Sequence, residues 1–439
     1  MNRSLSVVPG PRLGSGRQRT TPPDRARLAR AYVIEALAAV AANLLTLSIF
    51  FFTSVRFGWS LWQNLMLSAA MGALYTLSAL SAHPLTQRFG RTGPLTGCFV
   101  CMAVATLLAA VIPTPVVVTT VLLINIALGT VCWPILETLV CAGHIQPQEL
   151  TRRVSIYNLV WAGISVAVVA VNGLVIEHWP AGVFVVSVLA CGGAGLIAWF
   201  GDVDVAPGGK APELPSGRKA DPEPQLLHQR LTALWLARVS VPAMYVVTFA
   251  LAAMMPLLPL VQSYRPAMQT VLCSVWLAVR WGAFLALGAT TFWHTRPRLL
   301  LGAAVAMLVA LFMITIRPSY VLGFNGTAWL MDLAMMLAGQ VVLGLATGLI
   351  YTCSLHFGMA LSEGSTEHGG YHEALIGLGM TLGPAAGLVT QWYWPGNHRM
   401  AIGAVAGLLG VTIVMAAAAA MVFRARASSP RALQSQPAG

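Results

Sequence analysis

Seven side chains of this sequence put an ionic, amide or aromatic group inside long apolar runs: Glu35, Asn43, Glu137, Tyr245, Arg280, Trp281 and Asp332. An ionisable group in such a run is expensive, so it marks either a binding or coupling role or a structural ion pair. Arg280 lies about eleven residues into the run 269–291. An arginine at that depth faces a cavity or pairs with an acid, with Asp332 and Glu35 as the available partners. In a cavity its planar fork of donors would select an anionic or carboxylate-bearing ligand. Glu35, Glu137 and Asp332 are candidates to load and release a proton. Each also has a plainer reading. Glu35 and Glu137 lie close enough to run ends to reach water or bond a neighbouring helix, and Asp332 sits where a carboxylate caps a helix start. Asn43 is mid-run, as a ligand contact or a helix–helix hydrogen bond. Tyr245 and Trp281 are deep enough to stack on a ligand. Arg238 opens a run and can extend to the surface.

A second cluster reads Glu367-His-Gly-Gly-Tyr-His-Glu373, directly before an apolar, glycine-rich run. Gly369 and Gly370 are expected to break any helix, leaving His372 and Glu373 in the first turn of the helix that follows. Glu373 there complements the helix dipole. His368 and His372 have a metal-ligand spacing, but the intervening glycines weaken the helix that would align them, so no metal is assigned. The equivalent loop of the first half carries Arg152 and Arg153. Attraction between these loops of opposite sign would form a gate, with the histidines as proton sensors.

The elements that must position these groups follow from composition. Of 439 residues, 57% are hydrophobic and 9% charged, far too few charges to cover a soluble domain of this length. Twelve apolar runs are long enough to cross a bilayer: 30–53, 62–82, 94–112, 116–141, 154–176, 180–200, 231–260, 269–291, 299–316, 328–355, 371–392 and 400–423. The net charge of +12 does not signal nucleic-acid binding, because the arginines cluster between uncharged runs. Placing the N-terminus in the cytoplasm puts 20 of the 26 basic residues inside, four outside (Arg56, Arg265, Arg317, Arg399) and two within spans. Both termini are therefore expected to be cytoplasmic. Trp59, Trp62, Trp179, Trp392, Tyr393 and Trp394 fall at expected outer ends, as an aromatic belt. The seven cysteines, including the lone Cys98-x-x-Cys101, are read as packing residues. The expected fold is all-α and polytopic: a basic tail (1–29), a six-helix bundle (30–200), a Pro- and Gly-rich cytoplasmic linker (201–230), a second six-helix bundle (231–423) and a cytoplasmic tail (424–439).

The two bundles repeat. L-A-R recurs at 28–30 and 236–238, R-x-x-x-L-x-G at Arg91 and Arg296, and Y-x5-G-x9-G at Tyr157 and Tyr371, at offsets of 208, 205 and 214 residues. Parallel six-helix repeats imply a ligand cavity between the halves. With this layout, and with the loop His83-Pro-Leu-Thr-Gln-Arg-Phe-Gly-Arg91, the chain resembles the major facilitator superfamily of secondary transporters. The family loop has the sense G-x-L-x-D-R-x-G-R. Arg88, Gly90 and Arg91 match, while His83 replaces a glycine and Gln87 an aspartate of the gating charge network. Gly379-Met-Thr-Leu-Gly383-Pro384-Ala-Ala-Gly387 is similar to an element that antiporters of the family carry in helix 5, here displaced to helix 11. The family's basic signature in helix 4 is absent.

The resemblance implies alternating-access transport of a small solute, driven by protons, by a monomer without cofactors and without enzymatic chemistry, in a membrane such as the bacterial inner membrane. No phosphate-binding G-x-x-x-x-G-K-[ST] is present, so ATP is not the direct driver. Sparse polar residues in the spans favour an amphiphilic or anionic solute, and the helix 11 element favours export. Non-transporting sensors or assembly factors share the same layout and form the alternative.

The topology is directly testable. Single cysteines in 201–230 should react with a membrane-impermeant reagent only from the cytoplasm, and those beside Arg265 or Asn397 only from outside. Labelling of both from one face would overturn the six-plus-six layout.

Overall fold

The computed structural model describes residues 22–141, 147–201, 224–296, 298–317, 319, 328–362 and 366–427. Residues 1–21 of the basic tail, 202–223 of the linker, Glu363, and 428–439 lie outside the described residues. Among those described, every regular element is helical.

Twelve units follow the apolar runs. We label them α1 (Pro22–Leu45, continued after a break by Ile49–Phe57), α2 (Leu61–Ala79), α3 (Thr92–Val111), α4 (Pro115–Cys141), α5 (Pro147–His178), α6 (Gly182–Phe200), α7 (Pro224–Met254), α8 (Pro266–Cys273 and Val275–Gly288), α9 (Arg298–Thr315), α10 (Ala328–Ser362), α11 (Thr366–Tyr393) and α12 (His398–Ala427). Eleven are long and apolar enough to cross a membrane. The twelfth, α2, qualifies when joined to the short helix Ala82–Phe89, from which it is bent by 41°. That short helix ends at Gly90, whose φ of +72° suits glycine and strains other residues. Outward faces are apolar, as a lipid-facing surface must be: Leu77, Val111, Leu189 and Val414 are all exposed. The expected belt residues Trp62, Trp179, Trp392, Tyr393 and Trp394 are exposed at helix ends.

The halves meet along two seams, α2 with α11 and α5 with α8. On the second, Gly173 N donates to Thr270 Oγ1 at 3.0 Å and Trp281 Nε1 donates to the Leu159 carbonyl at 3.1 Å. Two spans are broken beside the central space, and each break is closed by a side chain. In α1, Ser48 Oγ donates to the Asn43 carbonyl at 2.7 Å. In α8, Gln340 of α10 donates to the Leu272 carbonyl at 2.9 Å and accepts from Trp276 N at 3.4 Å. Backbone groups freed within a membrane need such partners.

One boundary departs from the sequence reading. Helix α11 begins at Thr366 and runs through Gly369 and Gly370, which were expected to break it. Both glycines are buried where α11 crosses α4 and α2. A Cβ at Gly369 would come within 3.2 Å of the Pro134 backbone, and one at Gly370 within 3.1 Å of the Ala79 carbonyl. Close packing here outweighs the weak intrinsic helix preference of glycine.

Candidate functional site

A cavity lies between the halves, with about 140 Å³ open to the centres of water molecules. It is lined from both bundles and mostly by apolar side chains. Its most polar occupant is Arg280 of α8. Trp276 stands four residues earlier on the same helical face, and the Gln340 clamp holds its backbone. The Arg280 guanidinium carbon lies 4.7 Å from the Trp276 ring centre and 4.6 Å from that of Trp161 on α5. One tryptophan comes from each half, so the cation is sandwiched across the molecular interface. Trp161 is braced in turn by Phe284 and Tyr351, at centroid distances of 5.6 and 5.1 Å. Arg280 is only 4% exposed, and among the described residues it forms neither an ion pair nor a hydrogen bond. A buried guanidinium that faces a cavity with its donors unmatched has the chemistry to bind an anion.

Acids occupy the same region without meeting this cation. Glu373 of α11 lines the cavity and accepts a hydrogen bond from the Tyr75 hydroxyl of α2. Glu137 of α4 and His372 stand beside it, with ligand atoms of all three residues within 4.8 Å of one another. Ser354 Oγ lies 3.0 Å from His372 Nδ1. Glu35 of α1 is wholly buried, and neither of its carboxyl oxygens makes a hydrogen bond of normal geometry. Such a carboxylate is costly when charged, and a proton on it removes most of that cost.

No protein-family profile and no curated protein matches the sequence. Solved structures do match. A crystal structure of the nucleoside transporter NupG, in a point-mutant form, superposes with a TM-score of 0.59 over 91% of this chain and 99% of that one, at 11% identity. The human organic anion transporter MFSD10 (TETRAN) superposes with a TM-score of 0.57 over 90% of this chain and all of that one, at 12% identity. The chain has the major facilitator fold. Its apolar spans and this architecture make it an integral, multi-pass membrane protein.

Within the major facilitator fold the expected site residues sort into those at the cavity and those away from it. Asn43, Tyr245 and Arg280 line it. Asn43 sits at the α1 break and donates to the Ala39 carbonyl at 2.7 Å. Trp281 does not line the cavity: it is 41% exposed on the α5–α8 seam. One residue beyond Arg280, it points about 100° away around the helix, and Trp276 takes the stacking place. A search for aromatics one helical turn from Arg280 finds Trp276; nothing in the sequence singles out Trp161, Tyr75 or Tyr351.

Asp332 is also removed from the expected set. It accepts from Arg317 Nε and from Ser319 N, each at 2.9 Å, and from Ser319 Oγ, tying the start of α10 to the end of α9. A carboxylate so engaged is a structural clamp, so neither proton loading nor pairing with Arg280 falls to it. The rim gate is not formed as expected either. His372 and Glu373 are buried inside the bundle, while Arg152 and Arg153 pair with Glu149 of their own helix at 3.7 and 3.1 Å. Arg88 lies over the ring of Phe89, and Gln87, where the family loop has an aspartate, meets His83 at 3.0 Å. Arg238 does not simply extend to the surface; its Nη2 lies 2.9 Å from His368 Nε2. In the loop after α8, His294 stacks on His356 at 4.7 Å, and burial lowers its pKa. That histidine pair is not part of the cavity lining.

The clamp predicts a stability effect without a binding effect. Asp332→Asn strands part of a buried hydrogen-bond set and should destabilise the fold by about 1–3 kcal/mol. The measurement is thermal unfolding of detergent-purified protein; an unchanged melting temperature would refute the clamp.

Proposed function

We propose that this protein is a secondary transporter of an amphiphilic organic anion, working by alternating access of its two halves around Arg280. The observation that carries this reading is the buried, unpaired Arg280 in the cavity between the halves. Nothing in the described protein neutralises the guanidinium, so a carboxylate or similar anion has two or more donors waiting for it. The tryptophan faces and apolar walls suit a ligand with a flat or greasy body. The sandwich draws one ring from each half, so anion binding and the relative position of the halves are linked energetically. A scaffold protein has no evident use for such a charge. The similarity to an organic anion transporter agrees with this chemistry, although at that identity it speaks for the fold. Export is the favoured direction, on the glycine–proline run at 379–387. Its cytoplasmic termini follow from the arginine distribution.

The driving ion in this reading is the proton, and Glu35 is its carrier. Like Glu137 it is a buried carboxyl of the first half with no ion pair and no hydrogen bond of normal geometry, but it alone of the two faces the Trp161 backbone, behind the ring that stacks on Arg280. Protonation of Glu35 can therefore shift the very helix that forms one wall of the anion site.

Two experiments test this. Titration of purified protein with aromatic monocarboxylates should quench tryptophan fluorescence. Arg280→Ala should weaken binding at least about tenfold, and Arg280→Lys should restore it only in part, because a point charge lacks the fork. Equal binding by wild type and Arg280→Ala would remove Arg280 from the site. In proteoliposomes, Glu35→Gln should abolish accumulation driven by a pH gradient while anion exchange at equilibrium continues. Undiminished gradient-driven accumulation would assign the coupling elsewhere.

A further inference from the structure

Glu137, His372 and Glu373 come together from opposite halves of the molecule. Glu137 is on α4 of the first bundle, and the other two are on α11 of the second. Their exposures are 1%, 8% and 2%, and one ligand atom from each lies within 4.8 Å of the others. Both Glu137 oxygens and His372 Nε2 are buried without any hydrogen-bond partner. Buried polar atoms left unmatched call for a missing partner.

We propose that these three side chains form a site for a divalent transition-metal ion, of the Zn²⁺, Co²⁺ or Mn²⁺ class, that bridges the two halves. Charge supports it first: two carboxylates and a neutral imidazole leave two negative charges, which one divalent ion balances. The donor set supports it second, since imidazole nitrogen with carboxylate oxygen suits these ions. The outer partners support it third. A metal-bound histidine usually donates its other ring N–H to an acceptor, and ligating carboxylates are themselves hydrogen-bonded. Here the Ser354 hydroxyl stands 3.0 Å from His372 Nδ1, where it can accept that proton and leave the Nε2 lone pair free. The Tyr75 hydroxyl donates to Glu373. A proton shared between Glu137 and Glu373 would account for the two acids but would leave His372 Nε2 orphaned. The ion accounts for all three residues. Glu373 also borders the cavity, which supplies an entry path and a position for water as a further ligand.

A metal held this way ties α4 to α11 where the halves must part for that end of the cavity to open. The bound ion therefore favours the state in which that end is closed. The metal site itself does not rest on the transport reading, because binding is measured without transport; its effect on opening does rest on that reading.

The test uses the full chain, purified without a histidine tag and stripped with a chelator. Titration with Zn²⁺, Mn²⁺ and Co²⁺ by calorimetry should give one ion per chain and a raised melting temperature. Co²⁺ should also develop the visible absorption of a nitrogen- and oxygen-ligated ion. Glu137→Gln, His372→Gln and Glu373→Gln should each weaken binding by more than about 100-fold. Ser354→Ala, which keeps all three ligands, should weaken it by about 10- to 100-fold, the usual cost of an outer partner. A single cooperative thermal unfolding transition in the absence of metal, and a monodisperse profile on size-exclusion chromatography, verify that each variant is folded. Absence of binding by the wild-type chain would overturn the proposal. So would binding that Ser354→Ala and all three ligand variants leave unchanged, since the ion would then sit elsewhere. A wild-type chain that binds the aromatic carboxylate but none of the three ions would defeat this inference alone.

Discussion

The Arg280 guanidinium rests between Trp161 and Trp276 without a counter-ion, and much of the surrounding architecture follows from that. Moving a charge out of water costs several kcal/mol even after the protein relaxes. Cation–π contacts of the desolvated kind return about 2 kcal/mol each. Two such contacts hold the cation in place but do not satisfy its donors. The Gln340 clamp on the α8 break, which keeps Trp276 in register, and the aromatic brace behind Trp161 both serve the same arrangement. Donors held in place in this way would need little reorganisation to meet an anion.

The same constraint governs the acids. A carboxylate placed against Arg280 would fill its donors and leave nothing for a ligand. The chain instead keeps its buried carboxyl groups apart from the guanidinium, at Glu35 and at the Glu137–Glu373 cluster. Asp332, the other acid expected within a span, is spent on Arg317 and Ser319 at the end of α9. Unpaired cation and unpaired acids thus share one interface between the halves, which is where a rocking motion can change their surroundings. The two groups that most need a partner, Arg280 and the carboxyl cluster, each draw on both bundles, so occupancy at either one acts on how the bundles sit together.

The α2–α11 seam shows how small residues permit this. Gly369 and Gly370 lie where α11 crosses α4 and α2, and their lack of side chains brings the α11 backbone close enough to set His372 and Glu373 beside Glu137. Two larger residues there would hold α11 away and dissolve the cluster. Glycines that read as a helix break in one dimension serve as a packing surface in three.

The spans, their grouping into two bundles, the aromatic residues at helix ends and the presence of Arg280 deep within a span were all legible in the sequence. These depend on one-dimensional quantities, the length of apolar runs and the places where charge interrupts them, and lipid as solvent enforces both strictly. Pairing was not legible. That Asp332 bonds Arg317, that Trp276 and not Trp281 stacks on Arg280, and that Glu137 faces Glu373 from the other half depend on the rotation of each helix about its axis and on which helices touch. A difference of one residue turns a side chain by about 100°, and hydropathy within a nearly uniform apolar span carries too little contrast to set that angle. Only the packing of α4, α5, α8 and α11 against one another decides it, because close contact between backbones admits a single rotation for each helix.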